Sequence, residues 1–111
     1  REERAAKAAA IAAALATAAG PPAKVITAAG RLLELAQTLQ PMVNRSIAPD
    51  VAAAAEAIRA AIATSRTNIE ANLSGITDPA ARARLSRVVT GTAALEAGVE
   101  QVIAAVRARY A

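Results

Sequence analysis

Alanine occupies about a third of this chain, whereas Tyr110 is its only aromatic residue. Alanine has the highest helix propensity of the amino acids, while the residues that favour strands are aromatic or β-branched. Large apolar residues recur at spacings of three and four along most of the chain, as on one face of a helix. The sequence therefore predicts an all-α protein.

Glycine and proline divide the chain into four predicted helices. Gly20 is followed by Pro21 and Pro22, an order that favours the end of one helix and the start of the next. Proline paired with aspartate favours a helix start, because aspartate caps the first turn and proline fits its first position. Such pairs stand at Pro49–Asp50 and Asp78–Pro79. The predicted helices span residues 2–19, 22–47, 50–74 and 79–110.

Pro41 lies inside the second predicted helix. The apolar stripe that contains Leu32 and Leu39 continues beyond it at Val43 and Ile47, which predicts a kink in the helix and not its end. Short connections between long helices place neighbouring helices antiparallel, and the length of the chain suits a single core. We therefore predict one domain, residues 1–111, folded as an up-down antiparallel four-helix bundle.

The composition excludes several classes of function. The chain has no cysteine and no histidine, which removes thiol nucleophiles, zinc fingers and imidazole acid–base catalysis. Its net charge is +4, but no aromatic residues are available to stack on bases. The apolar run AAAIAAALATAAG is shorter than the ~20 residues that span a bilayer. These features predict a soluble protein without a targeting or transmembrane segment, metal, cofactor, nucleic-acid partner or membrane partner.

Several polar residues lie on helix faces that should be buried. Thr92 and Glu96 fall on or beside the apolar stripe of the fourth helix, and Gln40 falls on that of the second at a similar height. Buried polar groups persist only where they satisfy one another or a ligand does so, and alanines would leave room for one. The predicted ligand-binding residues are Glu96, Thr92, Gln40, Gln37, Asn44, Ser65, Asn68, Ala54 and Ala61.

These polar residues also have an ordinary structural interpretation. Glu96 and Gln37 could reach solvent from the edge of the stripe, and Gln40 could cap carbonyl groups freed by Pro41. Ser65 and Asn68 could belong to a solvated flank of the third helix. The sequence leaves both interpretations open.

Gly91, Gly98 and Ala105 recur every seven residues on one flank of the fourth helix. Glycine inside a helix costs ~1 kcal/mol relative to alanine, which suggests a steric reason for its presence. We expect this flank to pack closely on the alanine face of the first helix. Access for a ligand is the alternative.

In overall style the chain resembles de novo designed four-helix bundles that bind small molecules. The shared features are Asp-Pro helix starts such as Asp78–Pro79, glycine stops such as Gly20, short loops and a polar cluster inside a simple bundle. The resemblance covers the whole chain and implies a small-molecule site in the core. The chain departs from that class in its sparse Glu and Lys surface and in its alanine excess, which would also suit a natural protein from a GC-rich genome.

Three functions are compatible with the sequence. In the first, a monomer that is not an enzyme binds a planar polycyclic, drug-like molecule whose amine or N–H donor faces Glu96, with Thr92 and Gln40 as hydrogen-bonding partners. In the second, the chain is a structural bundle that associates with itself through the alanine face of the first helix. In the third, Glu96 is a general base, although no second acid–base group is evident. We predict the first.

Overall fold

The computed structural model describes residues 1–111, and almost all of them are helical. No residue lies in a strand, so the prediction of an all-α protein is confirmed. The helical segments are α1 (Glu2–Ala18), α2 (Gly20–Leu39), α3 (Ala48–Leu73) and α4 (Pro79–Ala108). Because α1 and α2 are parts of one continuous helix, the fold has three helices.

The predicted reversal at Gly20 is wrong. Ala19, the residue between α1 and α2, has right-handed helical dihedral angles, φ −77° and ψ −11°, and no glycine has a positive φ. The amide of Ala19 donates to the carbonyl of Leu15, and the amide of Ala23 donates to that of Ala19. Pro21 sits in the first turn of α2, where its missing N–H and fixed φ are compatible with a helix. The expected four-helix bundle is therefore replaced by a long helix, Glu2–Leu39, and two further helices.

The second helix ends before Pro41, and the predicted kinked continuation to residue 47 is wrong. α2 stops at Leu39, and the following residues form turns. Asn44 organises these turns, because its side-chain oxygen accepts hydrogen bonds from the Ser46 hydroxyl at 2.7 Å and the Ile47 amide at 3.1 Å. Proline cannot donate the hydrogen bond that would continue the helix.

The end of α4 packs against these turns. The guanidinium group of Arg109 donates to the carbonyl groups of Gln40 at 3.1 Å and Val43 at 2.8 Å. The hydroxyl of Tyr110 donates to the carbonyl of Arg45, whose guanidinium lies 5.0 Å from the centre of the Tyr110 ring. These contacts satisfy carbonyl groups of the turns that follow α2.

The start of α4 matches its sequence signals. The Asp78 side chain accepts a hydrogen bond from the Ala81 amide at 3.0 Å, and Pro79 occupies the first position of the helix. α3 begins at Ala48, with Pro49 in its first turn. An aspartate cap therefore marks the start of α4, whereas α3 begins without a side-chain cap and has proline in its first turn.

Two apolar clusters form the core. The larger joins α2, α3 and α4 around side chains such as Leu33, Ile62 and Val99. The smaller surrounds Ile69 and Leu85 at the other end of the three-helix region. Buried Ser65 and Thr92 lie between the two clusters along α3 and α4.

Most of α1 extends beyond the three-helix region. The molecule measures 66 × 18 × 18 Å, and Ala12 is the only buried residue of α1. The C-terminal end of α1 packs against the end of α3 and the turn that follows it. The Leu15 side chain lies over Gly75, and the Leu15 carbonyl accepts a hydrogen bond from the Asn72 side chain at 3.3 Å. The N-terminal part of α1 is therefore a projecting helix.

The long helix is also long and apolar enough to cross a membrane. An 18-residue window within Glu2–Leu39 has a mean hydropathy of 1.4 and is 17% buried. The sequence analysis considered the apolar run that ends at Gly20 too short to span a bilayer. That prediction is wrong, because the helix continues through Gly20 to Leu39. Core helices of soluble proteins and signal sequences have the same properties, so this result alone does not assign a membrane span.

The glycine flank of α4 faces α2, and the predicted contact with the first helix segment is wrong. A β-carbon at Gly98 would lie 2.8 Å from a methyl carbon of Leu33 and 3.1 Å from the amide nitrogen of Gln37. A β-carbon at Gly91 would meet nothing within 4 Å. Close approach therefore explains Gly98 but not Gly91.

These two glycines provide a matched test of the packing. We expect Gly91→Ala to raise the free energy of unfolding by about 1 kcal/mol, because alanine is the better helix former. Gly98→Ala has the same advantage but displaces Leu33 within a packed core, so it should be less stable than Gly91→Ala by about 1–3 kcal/mol. Urea unfolding of both variants measures the difference. Equal stabilisation would contradict the close packing of α2 on α4.

Candidate functional site

Three interfaces between α2, α3 and α4 differ in chemistry. We call the α2/α3 interface the apolar groove, the α3/α4 interface the ionic interface, and the shallow polar depression between α2 and α4 the amide hollow. The residues predicted to form one site are distributed over all three interfaces and the turns that connect the helices.

The apolar groove is the largest concave surface. It is open to solvent, has a volume of about 640 Å³, and has 12 hydrophobic residues among the 13 that line it. The exception is Asp50, in the first turn of α3. Ala54 and Ala61, two of the predicted site residues, lie in its wall. The full lining is Val25, Ala28, Ala29, Leu32, Leu35, Ala36, Leu39, Asp50, Val51, Ala54, Ala57, Ile58 and Ala61.

The ionic interface contains Glu96. Arg66 donates a hydrogen bond from Nη1 to Oε1 of Glu96 at 3.0 Å, and the two side chains are 36% and 33% exposed. Arg66 Nε lies 3.7 Å from a carboxylate oxygen of Glu70, on the same helix. Glu96 is therefore partly buried, as expected, but its donor is a guanidinium and not the predicted amide and hydroxyl groups.

A second ion pair lies further along the same interface. Arg59 pairs with Glu100 of α4 and lies 3.5 Å from Glu56 of its own helix. The hydrogen bond from Arg59 to Glu100 raises the pKa of the guanidinium, with further contributions from the charges of Glu100, Glu56 and Glu96. The buried Nε atoms of Arg59 and Arg66 have no hydrogen-bond partner. One N–H of each guanidinium group therefore has no acceptor.

Thr92 is buried but satisfied within its own helix. The residue as a whole is 1% exposed. Its hydroxyl donates a hydrogen bond to the carbonyl of Val89 at 2.6 Å. The hydroxyl therefore makes no contact with Glu96 or Gln40. The prediction that Thr92 faces inward agrees with its burial.

Gln37 and Gln40 lie in the amide hollow, on the α2 side of α4. The hollow has a volume of about 150 Å³, and its lining is completed by Gln101, Val102 and Ala105. The two glutamines are therefore brought together, as expected. Glu96 is not part of this lining.

The remaining predicted residues lie elsewhere. Asn44 stabilises the turns after α2, Ser65 is buried on α3, and Asn68 is exposed. None of them lines the apolar groove or the amide hollow. Their predicted role in ligand binding stays a prediction.

The sequence analysis missed Arg59 and Arg66. Their spacing of seven residues places them on one face of α3, and the spacing of four between Glu96 and Glu100 does the same on α4. Opposite charges at these spacings on adjacent antiparallel helices could have indicated the ionic interface.

Comparison with known proteins identifies one family. The sequence model of the family described as formiminotransferase-cyclodeaminase matches residues 1–91. No curated protein and no solved structure matches the chain. The prediction that the protein is not an enzyme is contradicted by this match, because the family is one of enzymes. The resemblance to designed bundles stays a prediction.

Thr92 and Thr90 provide a matched test of the buried hydroxyl. Both donate to a carbonyl of the preceding turn, but Thr90 is exposed. The Val89 carbonyl lies inside α4 and keeps its main-chain partner when the hydroxyl is removed, so we expect Thr92→Val, which no longer buries a polar hydroxyl, to raise the free energy of unfolding by up to about 1 kcal/mol. Thr90→Val should not, because valine gains no burial there. Thermal and urea unfolding test this, and strong destabilisation by Thr92→Val alone would mean that the hydroxyl serves a larger polar network.

Proposed function

Because this chain belongs to the formiminotransferase-cyclodeaminase family, we propose that it takes part in ring closure with loss of ammonia from a formimino compound. The family name describes transfer of a formimino group and a ring closure that removes an amino group. A protonated formimino group on nitrogen is a planar cation with N–H donors. It therefore has the features expected of a ligand that faces Glu96.

The ionic interface supports recognition of such a cation. Arg66 occupies one carboxylate oxygen, Oε1 of Glu96, whereas Oε2 makes no hydrogen bond in the structure. The side chain is one-third exposed, so a small group can reach it from solvent. A charge-assisted hydrogen bond to Oε2 would contribute about 1.5–3 kcal/mol to binding.

The same carboxylate can move the proton that the ring closure requires. A second nitrogen of the substrate attacks the formimino carbon and forms the new C–N bond, and Glu96 accepts the proton that this nitrogen loses. The bond from that carbon to the terminal nitrogen then breaks, and Glu96 returns the proton so that ammonia leaves. The step needs no oxidant and no net proton, and a positioned carboxylate can supply both transfers.

Arg66 would act as a positioning residue. Its hydrogen bond fixes the orientation of the Glu96 carboxylate, and Glu70 lies beside the same guanidinium. Glu96 would therefore be held in one orientation before the substrate binds.

A comparison of Glu96 and Glu100 tests the proposal. Both lie on α4 one turn apart, and both pair with an arginine of α3. We expect Glu96→Gln to lower the rate of ammonia release by at least about 100-fold, since general acid–base catalysis contributes 10²–10⁴-fold. Glu100→Gln should have a much smaller effect, because its carboxylate is more exposed at 61%.

The assay measures ammonia released from N-formimino diamines, the simplest being N-formiminoethylenediamine, which closes to an imidazoline. Calorimetry on the same compounds separates binding from turnover, and loss of the ionic contact in Glu96→Gln should weaken binding about ten- to a hundredfold. Circular dichroism confirms that both variants fold. Equal losses in the two variants, or no release above the uncatalysed rate, would contradict the catalytic role of Glu96. Binding without turnover would favour the non-catalytic alternative.

A further inference from the structure

Arg66 lies between two carboxylates in the ionic interface. Its Nη1 donates a hydrogen bond to Oε1 of Glu96 at 3.0 Å, whereas its Nε lies 3.7 Å from Oε1 of Glu70. The second distance is too long for a hydrogen bond, and the buried Nε atom has no hydrogen-bond partner. Arg66 therefore binds one carboxylate and has a second within a short movement.

The other arginine of the interface is held differently. Arg59 donates from Nη2 to Glu56 at 3.5 Å and pairs with Glu100 of α4, so it uses both of its carboxylates at once. Glu56 precedes its arginine along α3, whereas Glu70 follows Arg66. On a helix, an acid that precedes its base makes the more favourable pair. Glu70 is therefore the carboxylate of this interface that is least engaged by its arginine.

The ligand of the function proposed above offers its N–H donors in pairs. The two nitrogens of a protonated formimino group flank one carbon in a planar cation. A guanidinium group with the same arrangement binds both oxygens of a carboxylate at once. Equivalent two-point binding at Glu96 needs Oε1 as well as Oε2, and Oε1 is occupied by Arg66. The full contact therefore requires that the arginine moves.

The charge of Arg66 imposes the same requirement. A cation bound to Glu96 beside this guanidinium would lie within about 4–6 Å of it, a range over which like charges disfavour each other. Movement of the guanidinium toward Glu70 separates the two cations and gives each of them its own carboxylate. The Glu70 side chain is about half exposed, so this movement leaves the apolar core in place.

We propose that Glu70 is a specificity-determining residue that accepts Arg66 when a formimino cation binds to both oxygens of Glu96. This inference rests on the proposed function. The separation of 3.7 Å between Nε and Glu70 shortens to a hydrogen bond of about 2.9 Å, and Oε1 of Glu96 is released. A neutral amide has one nitrogen and no charge to repel Arg66, so it does not cause the exchange. The site therefore selects a planar cation over its neutral analogue.

Binding of N-methylformamidinium provides the first test. This planar cation has no second amine and cannot undergo ring closure, so its NMR titration measures binding alone. We expect Glu70→Ala to raise its dissociation constant about tenfold, because one charge-assisted hydrogen bond to Glu96 is lost. Glu56→Ala removes an equally exposed carboxylate beside Arg59 and should change the constant by less than about threefold. Equal effects of the two variants would overturn the proposal.

The Nε–H group of Arg66 provides a direct signal of the exchange. In protein labelled with ¹⁵N at the arginine Nε atoms, the resonance that disappears in Arg66→Lys is assigned to this group. Saturation with N-methylformamidinium should move its proton signal downfield, because Nε acquires a carboxylate acceptor. The movement should be lost in Glu70→Ala, retained in Glu56→Ala and absent with neutral N-methylformamide. An unchanged signal in the saturated wild type would overturn the proposal.

Glu70→Asp separates hydrogen bonding from charge. Aspartate keeps the negative charge but is one methylene group shorter, so its carboxylate does not reach Nε of Arg66. We expect the dissociation constant of Glu70→Asp to lie close to that of Glu70→Ala, with no ligand-dependent movement of the Nε–H signal. Wild-type affinity in Glu70→Asp would show that charge alone is sufficient and would overturn the transfer of Arg66. Circular dichroism confirms that each variant is folded.

The ammonia assay distinguishes this inference from the proposed function. Ammonia release from N-formiminoethylenediamine with an unchanged Arg66 signal would overturn the role of Glu70 and leave the proposed function intact. Movement of Arg66 on binding without ammonia release would support the role of Glu70 and contradict catalysis by Glu96. Failure of the wild type to bind N-methylformamidinium would overturn both.

Discussion

The continuity of the helix through Ala19 is the constraint on which the rest of this structure depends. Ala19 is completely buried in the smaller apolar cluster, and the preceding turn is held by Leu15 over Gly75 and by the hydrogen bond from Asn72. These contacts favour continuation of the helix at a position where the sequence predicts a turn. As a consequence α1 extends α2 and does not return beside it, so α1 does not cover the α2/α3 groove. The projecting helix and the exposed leucines have this one origin.

The three-helix arrangement also separates chemical groups that a single polar site would combine. Gln37 lies beside Gly98 in the α2/α4 interface, whereas Glu96, only two residues from Gly98, pairs with Arg66 on the α3 side. Thr92 lies in the core between them and bonds to its own helix. Helix α4 therefore presents amide, apolar and ionic surroundings on successive faces. Thr92 is satisfied within α4 and Glu96 by an arginine of α3, so the core of small aliphatic residues accommodates both groups without contact between them.

Family membership gives the ionic interface a chemical context. The family is one of enzymes, and the chain has no histidine or cysteine, so the acid–base role proposed above is assigned to a carboxylate. Among the carboxylates, Glu96 combines partial burial with a hydrogen bond from Arg66 across to another helix. The apolar groove has no comparable set of polar groups and suits packing better than chemistry.

Local sequence signals determined the helical class, the start of α4 at Asp78–Pro79 and the burial of Thr92. They act within a few residues through helix propensity, capping and the alternation of apolar side chains. They did not determine the direction of the chain at Gly20, because glycine followed by proline is compatible both with a turn and with a continuing helix. Nor did they determine the partner of Glu96, since Arg66 is 30 residues away along the chain. Only tertiary packing selected between these alternatives. The contacts that decide them join residues that are distant in sequence, so the residues near each position do not indicate which alternative has the lower free energy.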